Sequence, residues 1–441
     1  MARIYPFRAL RYNPAMVRLQ DVVTQPYDKI SPAMQQAYYQ RSPYNLVRII
    51  LGLPELFDGD GARDVYRRAA RDFDSWRRDG ILAQESEACI FAYSQTFTIP
   101  GSGDRCERKG FIALGELYDY AANVVFRHEQ TLSSPKTDRL NLLRATRAHF
   151  GQIFMLYSDP GLSAESLLFR STAAPDIEVT DEYDVLHRVW RVSDPGIINL
   201  LTTAIEDKKL IIADGHHRYE TALQYAREHA PGEIPAQTER ATGTAPQPPY
   251  AEAAAMMTFV NMDQDGLVIL PTHRVVHGLK EFNPAAFLQA VRAKFKVETL
   301  ERANADELAR RLRAIKDRFA VVAVTATGEY LLTAKSGEAS SGSAVDRQQN
   351  LDTAQLQSQI LEEVLGITPE AIRNQTNLRY VREASEALDQ VTRDGGNVAF
   401  IMKPVTLDEL REVAFAGEVM PQKSTDFYPK LLSGLTIYAL D

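Results

Sequence analysis

One stretch constrains this chain more than any other: Leu210-Ile211-Ile212-Ala213-Asp214-Gly215-His216-His217-Arg218-Tyr219-Glu220-Thr221-Ala222-Leu223. A short apolar run ends at Asp-Gly, where glycine lets the chain turn sharply. Tyr219, Ala222, Leu223 and Ala226 then recur at helical spacing. The pattern predicts a buried strand, a tight polar turn and a helix, with two histidines and an arginine at the helix start. That place carries unpaired backbone N–H groups and the positive end of the helix dipole, so it can receive an anion. Arg218 adds a planar, permanently charged fork matched to phosphate or carboxylate. The plainer alternative is that Asp214 caps the helix and His-Arg is merely solvated.

With 441 residues, 45% of them hydrophobic and 24% charged, the chain has apolar content for two or three globular cores. A net charge of -8 argues against general affinity for nucleic acid or anionic membrane. No run approaches the roughly 18 apolar residues of a membrane span, and the first residues show no apolar signal core. The two cysteines, Cys89 and Cys106, flank a predicted hairpin, Ile90 to Ile99 and Gly110 to Leu117. Two cysteines in so long a chain fit a reducing compartment rather than a disulfide scaffold, and a cytoplasmic location is expected.

In chain order, Ser31-Pro32 reads as an N-cap and first residue for a helix near Ala33 to Gln40. Just before it, Tyr27 and Asp28 stand on a loop with Lys29. Ala62 to Asp79 is a helix closed by Gly80, and its Phe73 and Trp76 read as core. His128 and Glu129, in Arg-His-Glu-Gln-Thr (127–131), are a candidate general acid/base pair. Lys136 and Arg139 could hold a phosphate, or simply solvate a helix running from Asn141 to His149. Strands follow at Gln152 to Tyr157 and Val185 to Val192, then a helix from Pro195. Residues 231–250, rich in Pro, Ala, Thr, Gly and Gln, read as a mobile surface loop.

Ala255 to Asn261 and Leu267 to Pro271, around Asp263-Gln264-Asp265-Gly266, predict a second hairpin. It leads to His273 and Arg274, a further His-Arg at a strand end. From Asn283 the texture becomes an accessory α+β lobe: helix 284–295, a short strand, helix 305–318, strands 320–325 and 329–333, a polar linker 336–350, helix 352–365, then helix, strand and helix to Ala416. Lys423, Ser424 and Thr425 then lie on a proline-bounded loop, 419–434, offering a cation, two hydroxyls and backbone donors to one oxyanion, before a last strand Leu435 to Ala439. The division expected is 1–250 and 251–441, with the final loop returning to the site.

Several chemistries are excluded by motif. There is no Walker A sequence, no Gly-x-Gly-x-x-Gly after a strand and no Gly-x-Ser-x-Gly elbow. His216 and His217 are neighbours, about 100° apart on a helix, and cannot share a metal as i,i+4 histidines do. A metal site using His128, Glu129 and a later histidine stays open as an alternative.

Val-Thr-Gln-Pro-Tyr-Asp (23–28), Arg-His-Glu-Gln-Thr (127–131), Ala-Asp-Gly-His-His-Arg-Tyr-Glu-Thr-Ala (213–222), Leu-Pro-Thr-His-Arg (270–274) and Met-Pro-Gln-Lys-Ser-Thr (420–425) together resemble the domain of unknown function family 1015. The strand–Asp-Gly-His-His-Arg–helix element also resembles the Gly-x-His-Arg box of the ParB/sulfiredoxin superfamily, which includes free-serine kinases. That resemblance implies an α/β (α+β) fold with a ParB/sulfiredoxin-like core beside the accessory lobe. It implies nucleotide phosphates gripped at the helix start: Gly215 permitting close approach, His217 and Arg218 contacting phosphate, His216 assisting.

The expected function is phosphoryl transfer from ATP or ADP, with Mg²⁺, to a small hydroxylated metabolite such as serine. In this reading Asp214, Gly215, His217, Arg218, Lys423, Ser424 and Thr425 bind the nucleotide, and Tyr27, His273 and Arg274 bind the substrate. Glu129 or, second, Asp28 is the base, with His128 and His216 beside them. The alternatives are a phosphate-ester hydrolase at the same site and a non-catalytic nucleotide sensor.

Overall fold

The computed structural model describes the whole chain except residues 55–60, 130–132, 171–172, 233–245, 316–318 and 336–346. It divides into two units, one formed by residues 1–126, 131–267 and 429–441, the other by 127–130 and 268–428. One boundary between them falls at Leu267/Val268.

The reason lies in strand Ala254–Asn261, all of whose residues are buried. It runs antiparallel to Arg105–Glu116 on one side and parallel to Ile153–Tyr157 on the other. With both edges occupied it has no room for a hairpin partner. Val268–Leu270 pairs instead with Asp426–Tyr428 in the second unit, which corrects the predicted 255–271 hairpin.

The first unit's nine-stranded mixed sheet continues outward from this strand. Ile153–Tyr157 is followed by Leu210–Asp214 (antiparallel) and then Val125–Phe126 (parallel). On the other side the predicted hairpin is present as Ile90–Thr98 and Arg105–Glu116, its second strand starting before the expected Gly110, followed by Leu186–Val192 and Ile177–Thr180. Gly110 allows this packing: a Cβ there would lie 2.4 Å from the Phe259 carbonyl oxygen.

Helices Pro195–Glu206 and His216–His229 bury Ile198, Leu201, Ile205, Tyr219 and Ala222 against the sheet. A separate core joins Phe73 and Trp76 of helix Gly61–Arg78 to Leu10, Tyr12, Phe150 and Ile437. Helix Pro32–Arg41 starts as expected, with the Ser31 side chain accepting from the Met34 N–H. The helix placed at 141–149 instead runs Ser133–Thr146. Arg147, at φ 47°, ends it in the left-handed region, and Ala148–His149 becomes a strand paired with Tyr438–Ala439.

Both cysteines are free. Cys89 precedes the strand that begins at Ile90, whereas Cys106 pairs with Phe97 near the other end of the hairpin.

The second unit is a six-stranded antiparallel sheet in the order Phe295–Leu300, Gly328–Ala334, Ala320–Thr325, Val398–Ile401, His273–Val276, Leu378–Val381. Alternation fills both faces: Val398 and Phe400 enter one core, Ala399 and Ile401 the other. Helices Pro284–Lys294, Ala305–Arg313, Ala384–Thr392 and Leu407–Phe415 form as expected, the second stopping short of its predicted end at 318. The segment read as one helix, 352–365, is α-helical over Asp352–Gln355 and widens to a π-helix over Leu356–Glu362. The predicted mobile loop and polar linker fall mostly outside the described residues, as do Gln130 and Thr131 of the 127–131 motif. None of the described helices is long and apolar enough to cross a membrane.

Candidate anion and ligand site

Leu210–Asp214 is a strand with four buried residues, and His216 opens the helix that follows. Gly215 joins them at φ 94°, where a side chain is strained. Its second constraint is space: a Cβ would sit 3.1 Å from the Arg218 guanidinium. Gly215 is also the N-cap residue and provides no side-chain cap. Asp214 is therefore not the cap that the plainer reading assigned.

The carboxylate of Asp214 faces two cations. Arg218 Nη2 donates to Oδ2 at 2.6 Å, and Lys430 Nζ donates to Oδ1 at 3.2 Å. Burial alone would raise the Asp214 pKa. The charges of Lys430, Arg218 and then Lys29 outweigh it and hold the carboxylate well below its ordinary range. Such a group is too weak a base to take a proton at neutral pH; it holds cations in place.

Arg218 has little freedom left. Nη1 donates to the Gln152 carbonyl oxygen, and Nη1 lies 3.3 Å from where a Cβ on Gly151 would be. The guanidinium is wedged between two glycines, with one edge on Asp214.

Lys430 owes its position to buried polar groups on the hairpin. Gln95 Nε2 donates to the Lys430 carbonyl oxygen at 2.8 Å, and Arg108 donates to the Pro429 carbonyl oxygen. Arg108 is fully buried with Phe154 beneath its guanidinium at 4.7 Å, and burial lowers its pKa to about 10.

Beside the turn lies a cavity enclosing about 560 Å³ of atom-free space, part of it open to solvent. Arg218 and Thr221 of the helix line it, together with Tyr27, Arg139, His149 and Ser433. Ile50, Leu142, Leu143, Ala148 and Phe150 supply its apolar wall. Arg139 stacks over the Tyr27 ring at 4.1 Å while pairing with Asp138. Burial pushes the Tyr27 hydroxyl up and holds His149 at about 4, so both are neutral at pH 7.

The residues singled out in the sequence thus fall into two sets. Tyr27, Asp28, Asp214, Gly215, His216, His217 and Arg218 belong to the first unit. Tyr27–Lys29 form a single 3₁₀ turn on which Asp28 is exposed, whereas His216 is buried and His217 partly so.

His128, Glu129, His273, Arg274, Lys423, Ser424 and Thr425 belong to the second unit. There the two polar motifs, nearly 300 residues apart in sequence, meet. His128 Nε2 and Thr425 Oγ1 are 2.8 Å apart, the Met420 N–H donates to the His128 carbonyl oxygen, and the Lys423 N–H donates to Glu129 Oε1 at 3.3 Å. Lys423 is exposed, whereas Ser424 is buried and donates to the Pro421 carbonyl oxygen. His273 and Arg274 are buried in the sheet. His273 Nδ1 accepts from the Met402 N–H, and burial followed by the Arg274 charge holds its pKa at about 4. Arg274 donates to the Thr272 carbonyl oxygen at 2.6 Å. Lys136, considered for phosphate, pairs with Glu220 at 2.9 Å.

Lys430, His149 and Ser433 escaped the sequence reading. Lys430 and Ser433 share the largely apolar run 427–435 and His149 stands between Ala148 and Phe150, and only the Tyr-Pro-Lys at 428–430, next to the Lys-Ser-Thr loop, hinted at the first. Among the described residues no group of three His, Cys, Asp or Glu side chains is placed to hold a metal.

Solved structures with partial likeness include a conserved hypothetical protein from Pyrococcus furiosus (14% identity, TM-score 0.33, covering 69% of this chain and 87% of that one). A free serine kinase in complex with AMP gives 13% identity and a TM-score of 0.32, covering 69% of this chain and 83% of that one. SbnI from Staphylococcus aureus, with a C-terminal truncation, gives 10% and 0.34, covering 73% and 85%. At such scores the chemistry of the site rests on this chain's own residues. No curated protein matches the chain. The model of the family described as protein of unknown function (DUF1015) matches residues 4–354, most of the chain, and the protein belongs to that family.

Proposed function

We propose that this protein is a nucleotide-dependent phosphotransferase acting on a small hydroxylated metabolite, with the reaction centred on the Asp214–Arg218 turn of the first unit. The observation that supports this reading is the Lys430–Asp214–Arg218 cluster set beside a helix start that no side chain caps. An entering nucleotide phosphate would meet the first-turn N–H groups and compete with Asp214 for Arg218 and Lys430. The two cations would then follow charge from carboxylate to phosphate, stabilising the transferring group.

Mg²⁺ would enter with ATP or ADP, held chiefly by phosphate oxygens and water, as that ion prefers. Asp28 is the base in this reading: it is exposed, and its loop shares the first unit with the turn. Glu129, the other candidate, has its carboxylate on the Lys423 N–H in the second unit. A non-catalytic nucleotide sensor is the second reading. It is favoured by the engagement of both Asp214 oxygens, which holds the two cations on the carboxylate at rest.

The test is ³¹P NMR of the protein with Mg²⁺, ATP or ADP and L-serine or another hydroxylated acceptor. A new phosphomonoester resonance that vanishes in Arg218→Ala and falls by about 10²–10⁴-fold in rate in Asp28→Asn is expected. Nucleotide signals that broaden without turnover would favour the sensor. Signals neither shifted nor consumed would remove both readings.

A further inference from the structure

We propose that the cavity beside Arg218 is the acceptor site, and that its acceptor is a hydroxylated molecule with an apolar, ring-sized body rather than free serine. This rests on the phosphotransferase reading and deepens it. Two observations carry it.

The first is the wall. Ile50, Leu142, Leu143, Ala148 and Phe150 present hydrocarbon, which a polar amino acid would leave poorly covered.

The second is the polar inventory. Among the described residues, no hydrogen bond joins the Tyr27 hydroxyl, the His149 ring nitrogens or the Ser433 hydroxyl to the protein. All three line the cavity, and Ser433 is only 3% exposed. They are uncharged donors and acceptors, since burial keeps His149 neutral. The two arginines at the cavity already have carboxylate partners, Arg139 in Asp138 and Arg218 in Asp214, which Lys430 shares. A ligand here needs a few hydrogen-bonding groups and at most one negative charge. A molecule whose own body is highly anionic does not suit it.

Arg218 belongs both to the cavity and to the anion turn. An acceptor lodged on the apolar wall would hold its hydroxyl toward the phosphate. The oxygen–phosphorus bond to the acceptor forms as the bond from phosphorus to the leaving nucleotide oxygen breaks. The hydroxyl proton passes to Asp28, and the nucleotide leaves one phosphoryl group shorter.

L-threo-3-phenylserine is a direct probe, since it carries serine's amino-acid head and hydroxyl with a phenyl ring added. Binding to the whole protein without nucleotide, by saturation-transfer NMR and calorimetry, should favour phenylserine over L-serine by about ten- to a hundredfold. Leu143→Phe, which fills the wall, should remove that preference. Ser433→Ala, which leaves the wall intact, should weaken binding a few-fold and keep it.

Equal affinity for the two amino acids would overturn the proposal. So would absence of binding by phenylserine, or a preference that survives in Leu143→Phe. Phenylserine bound with the expected preference but never phosphorylated with either nucleotide would sustain the cavity's assignment to such a ligand and sink the phosphotransferase reading.

Discussion

Replacing Asp214 by asparagine keeps the side chain's shape and removes its charge. In the native protein the carboxylate, 19% exposed, receives Arg218 at 2.6 Å and Lys430 at 3.2 Å. Those cations are themselves 13% and 8% exposed, so water is poorly placed to replace the lost charge. Breaking a buried pair from one side costs about 3–5 kcal/mol, and the acceptor oxygen that asparagine retains brings the expectation to the lower end, about 3 kcal/mol. At about 2–4 °C per kcal/mol for a domain of this order, the melting temperature falls by roughly 6–12 °C. Lys430→Met is milder, about 1–3 kcal/mol, because Arg218 still holds the carboxylate. The double variant should lose less than the sum by about 1.5 kcal/mol, since the second change removes a cation that the first deprived of its counter-charge.

Both tryptophans, Trp76 and Trp190, lie in the first unit, so urea unfolding followed by fluorescence reads the unit in question. A loss under about 1 kcal/mol for Asp214→Asn, the size of an exposed pair, would refute the reasoning. Strict additivity of the two substitutions would do the same. The cluster also sets an acid limit. A carboxylate whose folded pKa is depressed contributes fully above its unfolded value, near 3.9, and that contribution is lost as pH falls through the folded one. The Asp214→Asn variant should therefore show a flatter decline below about pH 4.

Three further outcomes are expected. His149, held at about 4 in the fold against roughly 6.5 in the unfolded chain, takes up its proton first when unfolded. Its contribution is complete above about pH 6.5 and lost toward pH 4, by up to about 3 kcal/mol, and His149→Gln should remove that slope from the fluorescence-detected stability. An unchanged slope would mean that the ring is solvated. Gly215→Ala should cost about 1–3 kcal/mol, because the φ of 94° is strained for alanine and the new methyl meets the Arg218 guanidinium; a change within about 0.5 kcal/mol would contradict the turn geometry. Thiol titration should find partly exposed Cys106 reactive in the native protein. Cys89, buried and raised to about 11 by burial, should react only on unfolding, and a disulfide recovered from the native protein would contradict this.

Periodicity was a reliable guide where one segment decides its own structure. The turn at Gly215, the hairpin at 90–116, the Ser31 cap and the helices of the second unit all follow from local residue order. Two of the departures share a cause, competition for partners. Val268–Leu270 reads as the second half of a hairpin until the sheet takes both edges of Ala254–Asn261. Ala148–His149 reads as helix until Tyr438–Ala439 supplies a strand.

The same holds for the site. Asp214 and Arg218 were legible because they share a turn. Lys430 was not, because its ammonium is delivered by a carbonyl held on Gln95, 335 residues away. That His128 and Glu129 lie with Lys423 and Thr425 is equally a property of pairing, through the bridge from Glu129 to Met420, rather than of either motif.

The discontinuity of the first unit bears on how the protein is made. Leu10 awaits Ile437, Thr24 awaits Ser433, Ala148 awaits Ala439 and Asp214 awaits Lys430. All four of those late partners leave the ribosome after the entire run 268–428. Nascent chains halted before residue 429 would hold a second unit with all of its strands beside a first unit whose cluster has one cation missing. In vectorial synthesis the anion turn is completed only after the second unit, and competence at Asp214 reports that translation has passed the whole intervening unit.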